Sequence, residues 1–317
     1  MAVLFAMWNK HWMTNNPMKT LLIKPGFICS LLLLSCFVYI NAAMAAVDPP
    51  RENPVPGGIA VVPISKAHTI TPPHVTYNNK RVMVLDGRFI WYAVVGIPLG
   101  VKPGQHEIRI DRADKKTRMI KFNVEPKKYK EQHITLKNKR QVNPYKKDLE
   151  RIGKEKKLIT NAFRKWSTNS PNETLFKLPV EGKLSSSFGL RRFFNEQPRK
   201  PHSGVDIAAP KGTPIKAPAS GKIISTGNYF FNGNTVLIDH GQGLVTMYCH
   251  MDQIDVKPDQ IIKQGEAIGT IGMTGRVTGP HVHWSVSIND ARIDPDLFFM
   301  DNIETELVKA EKPVKTP

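Results

Sequence analysis

A chain of 317 residues, 41% apolar and 23% charged, carries enough apolar material for two folded domains, and its composition excludes disordered and fibrous classes. The excess of 45 Lys and Arg over 27 Asp and Glu gives a net charge of +18, which points to an anionic partner. Three cysteines, two of them inside one apolar run, exclude a disulfide-dense scaffold.

The N-terminus narrows the choice of partner. Lys19 and Lys24 precede the apolar run FICSLLLLSCFVYI at 27–40, and NAAMAAVDPP follows. This is the order of an export signal, with Ala43-Met44-Ala45 as its small-residue cleavage site, so cleavage is expected after Ala45. Residues 1–17 are unlike a charged leader, which makes Met18 an alternative start. An uncleaved anchor is the competing reading, but the run is short for a bilayer-spanning helix. LLSC at 33–36 faintly resembles a lipoprotein acylation box, yet the apolar run continues past Cys36. The segment 1–45 holds Lys10, Lys19 and Lys24 and no acid, so the exported chain stays strongly basic. The expected location is the periplasm or cell envelope. The expected partner is an anionic envelope surface, met peripherally, and not nucleic acid.

Residues 46–58, AVDPPRENPVPGG, read as a Pro/Gly-rich leader. From 59 to 140 the chain reads as a small β-sandwich of short strands. RVMVLDGRFIWYAVVGIPL is β-branched and aromatic, with Asp86-Gly87 as a hairpin turn, and KPGQHEIRI, RMIKFNV and QHITLK continue at regular spacing. His68, His74, His106 and His133 lack metal-ligand spacing and read as ordinary surface or edge residues.

A connecting helix and linker are expected over 141–177. Asn143 can cap the helix with Pro144 at its first position, and Leu149, Ile152, Ile159, Phe163 and Trp166 recur at helical intervals or their multiples. The simplest role for such a helix is a connector packed by one stripe. From 178 to 300 strands and Gly turns return, which predicts a second all-β domain. The Lys-rich tail, 301–317, is expected to be disordered.

Chemistry concentrates in this second domain. In TGPHVHWSV, His281 and His283 are two apart; on a strand both imidazoles would share one face, about 7 Å apart at their Cα atoms. In RKPHSGVDIAAP, His202 and Asp206 are four apart, and Gly204 between them leaves room above the shared face. Each pattern alone also fits a plain surface pair. Together they meet the needs of a catalytic zinc site, which takes three N/O ligands and keeps one open position. His202, Asp206 and one histidine of the H-x-H supply that set, leaving open which histidine.

HSGVD, YCH and HVH in this order, flanked by SSSFGLRR, DIAAPKGTPIKAPASGKI, GNTVLIDHGQGLVTMYCHM and GMTGRVTGPHVHW, resemble the lysostaphin/LytM-type zinc metallopeptidases. The resemblance runs from about Leu178 to Phe299. It implies a mainly β, LytM-type peptidase domain that cuts peptide bonds of peptidoglycan. It also implies Zn2+ held by His202, Asp206 and His283, with His250 and His281 as catalytic histidines. VPGGIA, WYAVVGIPL and PGQHEI resemble the β domain that precedes the peptidase in some Gram-negative members. The implied substrate is the stem peptides of peptidoglycan, at a D-alanyl-diaminopimelate cross-link, with a glycine bridge as the alternative. Intramolecular gating by residues 59–136, docked against the cleft, is a further expectation, with independent targeting as its rival.

Two other readings compete, beside a plain wall-binding module, which would need no H-x-x-x-D plus H-x-H set. Cys249-His250 suggests a cysteine protease, but neighbours on a strand face opposite ways and could not pair, so Cys249 is expected in the core. His240 is expected to be structural, as Tyr248 and Trp284 are expected to pack. A zinc-binding but non-catalytic regulator of cell-wall amidases is the alternative function, disfavoured by an intact ligand set.

Overall fold

The computed structural model describes residues 48–66, 71–111 and 117–311. The expected signal segment 1–45, His68 and residues 312–317 lie outside the described residues.

The first half is the expected sandwich. Strands β1 (Ile59–Ser65), β4 (Met83–Asp86) and β5 (Ile90–Gly96) form one antiparallel sheet in the order β1-β5-β4. Strands β2 (His74–Tyr77), β3 (Lys80–Arg81), β6 (Gly104–Asp111) and β7 (Thr117–Val124) form the other, in the order β3-β2-β6-β7. Val62, Ile64, Ala93 and Val95 from one sheet pack against Val75, Tyr77, Ile108 and Ile110 from the other. Strand β6 shows the alternation of a half-solvated sheet, with Ile108 and Ile110 buried and Glu107 and Arg109 exposed. The run in β4 and β5 is apolar on both faces because the second face is also covered. Ile59, Met83, Leu85 and Val94 turn away from the sandwich and join a core with Ile288 and Ile293 of the second half. Each such side chain contributes roughly 1.5–3 kcal/mol by leaving water.

Two amides lock this joint. The Gln242 side chain donates to Val84 O at 3.2 Å and accepts from Val84 N at 2.9 Å, so it pairs the free edge of β4. Asn289 does the same for Gly96, at 2.7 and 3.0 Å. A buried strand edge left unpaired would cost about 1–3 kcal/mol for each orphaned group.

Strand β8 (Glu131–Ile134) runs parallel to β10 (Arg191–Phe194), which also pairs with β11 (Gln197–Pro198). This small sheet crosses the expected domain line, because β8 falls within 59–140 and β10 within 178–300. Helix α1 (Lys139–Val142) and helix α2 (Lys146–Phe163) follow β8.

The helix start departs from expectation. Asn143 ends α1, its N–H donating to Lys139 O, and Tyr145 is the N-cap of α2. The Asp148 carboxylate decides this, accepting from Tyr145 N at 3.1 Å and from Arg140 Nε at 2.7 Å. Leu149 is 55% exposed and leaves the expected stripe. Trp166 lies beyond the helix end, with the Arg81 guanidinium 4.4 Å from its ring. Phe163 and Ile159 pack on Leu237, Val245, Met247 and Cys249.

The second half is built on one large sheet. Strands β9 (Lys183–Ser186), β12 (Val205–Ala208), β14 (Gly221–Tyr229), β15 (Gly233–Gly241), β16 (Leu244–Ile254), β17 (Ile261–Ile262) and β19 (His281–Ile288) take the order β17-β14-β15-β16-β19-β12-β9. Strand β13 (Pro214–Lys216) pairs with β18 (Ala267–Ile271), which joins β16, and β20 (Ala291–Ile293) pairs with β19. The tail expected to be disordered from 301 instead begins with helix α3 (Ile303–Glu311). Ile303 and Leu307, one helical turn apart, are both buried in the main core, and Asn302 accepts from Thr305 N at 2.8 Å to cap the helix.

Candidate metal centre

Strand β19 lies between β12 and β16, and its register builds the centre. Asp206 of β12 stands directly opposite His283, which faces Cys249 on its other side. Opposed residues of an antiparallel pair project to the same face, so Asp206 and His283 meet without a bend in either strand. His202 reaches them from the loop before β12. Gly204 permits that approach: a Cβ there would stand 2.3 Å from Trp284 O, on the backbone of β19.

The three side chains converge tightly. His202 Nε2 lies 3.0 Å from Asp206 Oδ1 and 2.9 Å from His283 Nδ1, and the Asp206 Oδ1 to His283 Nδ1 distance is 2.8 Å. All three residues are buried, and the trio is a His/Asp group able to hold a metal ion. Two imidazole nitrogens and one carboxylate oxygen, one from each of three residues, suit zinc's preference for N/O donors with an open position.

Outer hydrogen bonds fix which atoms face the centre. His202 Nδ1 donates to Ser187 O at 2.7 Å, which leaves Nε2 as its free lone pair. His283 makes the opposite choice, with Nε2 2.9 Å from Ser285 Oγ and Nδ1 facing Asp206. Arg192 Nη2 donates to Asp206 Oδ2 at 2.7 Å, so Oδ1 alone turns to the histidines. Gln132 of β8 holds the Arg192 Nε at 3.0 Å, which brings the first half of the chain within two bonds of the centre. Such supporting bonds set tautomer and ligand basicity. Burial works to raise the Asp206 pKa, but the neighbouring His202 and His283 imidazoles outweigh it and hold the carboxyl well below the usual range.

The other two histidines form a second pair, with ring centroids 4.9 Å apart. His250 Nδ1 donates to Thr274 O at 2.9 Å and His281 Nδ1 to Gly279 O at 2.8 Å, so each presents Nε2 as an acceptor. Burial pushes the His250 imidazole down to about 3, with the charges of His281 and His283 adding to the effect. Burial also pushes His283 down to about 4, against the pull of Asp206. Both are therefore neutral near pH 7, the form that offers a lone pair.

The strand argument about Cys249 and His250 fails locally. His250 has φ of 64°, a left-handed conformation that a non-glycine residue rarely holds, and it breaks the alternation of β16. Both side chains consequently line one cavity. The thiol is still no nucleophile: burial pushes it up to about 12, and Sγ takes Asn232 Nδ2 at 3.2 Å. His240 is structural as expected, its ring held between Ser220 O and Thr246 Oγ1, each at 2.8 Å. His74, His106 and His133 pair with Asp111, Tyr77 and Glu196 and stay out of the centre.

The cavity of about 590 Å³ opens beside the centre, with His202, His250 and His283 in its lining. Helix α2 also lines it, through Ile152, Ile159 and Phe163. The helix is thus more than a connector. The sequence reading placed all five histidine and aspartate positions, and the fold brings all five together. It missed Arg192, Gln132 and the α2 wall. Arg192 stood in the quoted SSSFGLRR run, but nothing local says that its guanidinium turns to Asp206.

The comparisons agree with this geometry. The family model described as peptidase family M23 matches residues 200–295, and the one described as peptidase family M23 N-terminal domain matches residues 52–127. A solved Pseudomonas aeruginosa structure, described as a peptidase M23, is 44% identical, with a TM-score of 0.65, covering 78% of this chain and 95% of that one. Peptidoglycan DD-endopeptidase ShyA of Vibrio cholerae is 41% identical over 115 residues, 35% of this chain and 27% of that protein. DD-carboxypeptidase/endopeptidase Mpg of Neisseria meningitidis is 39% identical over 116 residues, 37% of this chain and 27% of that protein. The chain thus matches about a quarter of the length of these two relatives. With both family models matched in order and a 44% identical structure covered almost entirely, the chain belongs to peptidase family M23 and carries the family's N-terminal domain ahead of its peptidase domain.

Proposed function

We propose that this chain is a zinc endopeptidase that hydrolyses stem-peptide cross-links of bacterial peptidoglycan, at the D-alanyl-diaminopimelate bond, in cell-wall remodelling. The observation that carries the reading is the convergence of His202 Nε2, Asp206 Oδ1 and His283 Nδ1 beside two histidines with free Nε2 atoms. The names of ShyA and Mpg support the substrate class.

His202, Asp206 and His283 would hold the zinc, which supplies Lewis acidity toward the scissile carbonyl and toward water. His250 and His281 handle protons. Each has its Nδ1 proton fixed on a backbone carbonyl, so each Nε2 can accept a proton from the attacking water. His281 is the less buried of the two and is better placed to pass that proton to the leaving amine or to solvent. Arg192 pairs with the Asp206 carboxylate and keeps it turned, with Oδ1 toward the histidines.

Digestion of purified sacculi, read by mass spectrometry of the muropeptides, tests the reading. Cross-linked dimers should fall to monomers, and a chelator should stop the loss. Zinc binding with no cleavage would favour the regulator of cell-wall amidases.

Export with cleavage after Ala45 is part of the proposal and is checked by N-terminal sequencing of envelope protein. Without Lys10, Lys19 and Lys24 the net charge is 18 − 3 = +15, which supports salt-sensitive attachment to the anionic envelope surface. Gating also belongs here, in altered form. Residues 59–136 contribute no described side chain to the cavity lining, whereas α2 forms its wall. Arg151 Nη2 donates to Asn228 O at 3.0 Å, and Glu155 accepts from Phe230 N at 2.8 Å, which pins α2 to the β14–β15 hairpin. The proposed gate is this helix. An Arg151→Ala/Glu155→Ala variant should cut soluble muropeptides faster than the parent, and equal rates would remove the idea.

A further inference from the structure

The cavity is lined by Lys156, Arg192, Arg199, Lys200, Arg276 and Arg292, with Glu155 as the acid among its lining residues. A concave surface of one sign concentrates its field and draws in an opposite charge. Most of these cations are accounted for. Arg192 serves Asp206, and Arg292 lies 3.5 Å from Asp290 and over the Phe163 ring. Lys156 and Lys200 are exposed to solvent.

Arg276 and Arg199 are different. Arg276 is half-buried, with its guanidinium 4.5 Å from the Phe194 ring and 4.4 Å from the Phe231 ring. Contact with two rings restrains the guanidinium, and a planar guanidinium offers its N–H edge to in-plane acceptors. Its side chain donates to one neutral group, Gln141 O, at 3.3 Å. Arg199 donates to Pro198 O, Val142 O, Asn143 Oδ1 and Gln197 Oε1, all neutral. Among the described residues neither has a carboxylate partner. Burial, with the charges of Arg192 and Arg199, pushes the Arg276 guanidinium down to about 10. Two guanidinium groups that repel each other in a half-dry cleft are a standing cost, which an arriving anion would relieve. The location is relevant to chemistry: Arg276 lies in the segment between Gly272, which is bridged to His281, and His281 itself.

We propose that Arg276, with Arg199 beside it, is a carboxylate-binding subsite that recognises the acid group carried by the substrate next to the scissile amide. This rests on the peptidase reading above and deepens it. In a D-alanyl-diaminopimelate link the nitrogen of the scissile amide sits on a carbon that also bears a carboxylate. A glycine bridge offers no such group within the bridge. A planar fork held against two rings matches a carboxylate in bidentate fashion, and selects the first kind of cross-link over the second.

The test uses the full zinc-loaded chain and two soluble cross-linked dimers, one with free diaminopimelate carboxyls and one with those carboxyls amidated. The free dimer should be cut with a kcat/KM about 10–100-fold higher, the value of a charge-assisted bond pair. Arg276→Gln and Arg199→Gln should each shrink that ratio, chiefly by raising KM for the free dimer. Equal kcat/KM of the parent chain on both dimers would overturn the subsite while leaving the peptidase standing. If neither dimer is cut with zinc bound, the peptidase reading fails, and calorimetric binding of the same two dimers still decides. Preference for the free carboxyls supports the subsite; equal or absent binding overturns it. Should Arg276→Gln not fold, the two-dimer comparison on the parent chain and on Arg199→Gln carries the same decision.

Discussion

Asp206 and His283 face each other across the β12–β19 ladder, with Oδ1 2.8 Å from Nδ1. The ladder itself therefore holds two of the three proposed ligands, and only His202 depends on a loop. Zinc content should fall to background in Asp206→Ala and His283→Ala. His202→Ala should also lose zinc, while its fold, anchored by the ladder, persists by circular dichroism. Metal analysis that finds full zinc in Asp206→Ala would sink the ligand assignment.

The two halves of the H-x-H should separate. His281 contacts no ligand atom and donates to Gly279 O, so His281→Ala should keep zinc and lose turnover by roughly 10²–10⁴-fold, the range for a proton-handling group. His250→Ala should behave alike, and the double variant should cost less than the product of the singles if both act on one transition state. Zinc content and single-turnover cleavage on the same preparations decide this. Near-parental cleavage by His281→Ala would make it a packed bystander.

Arg192 offers a third separation. It touches Asp206 and would not touch the metal, so Arg192→Met should weaken zinc affinity by about 10–100-fold, as loss of an outer partner does. Gln132→Ala should weaken it less, because Arg192 keeps its bonds to Ser186 and Asp206. A competition titration with a chelator of known affinity measures both. An Arg192→Met affinity equal to that of the parent would mean that the guanidinium balances charge without orienting Asp206.

The candidate cluster was legible because its spacing is local, whereas the choice of His283 over His281 as a ligand came only from the resemblance. His202 and Asp206 lie one short segment apart, and His281 and His283 share one strand face. The sandwich was legible from alternation in β6 and from the Asp86-Gly87 turn, with Gly87 N donating to Ile90 O. What failed was what depends on distant partners. Asp148 moved the start of α2, and the buried face of Ile303 and Leu307 ordered a tail whose composition reads as solvated. The left-handed His250 turned its side chain into the same cavity as Cys249, which no strand pattern could announce. Nor does a connector stripe reveal that the helix it describes walls a cleft.

Helix α2 is also held at its far end. Asp290 accepts from Lys80 Nζ at 2.6 Å and from Arg164 Nε at 3.0 Å, so one carboxylate ties the N-terminal domain and the end of α2 to the peptidase domain. Burial works against its charged form, but Lys80 and Arg164 outweigh it and hold the carboxyl below its usual range. A carboxyl depressed in the folded state adds stability that is present above the unfolded value, about 3.9, and is lost as pH falls through the lower folded value. Asp290→Asn should therefore melt several degrees below the parent near pH 7, and the gap should close below about pH 4. The substitution suits the site, because Asp290 has φ of 62° and asparagine tolerates that region. Thermal melts of both proteins from pH 7 down to about pH 3 make the comparison. A gap that stays constant across that range would show that the carboxylate charge is not what fastens the helix.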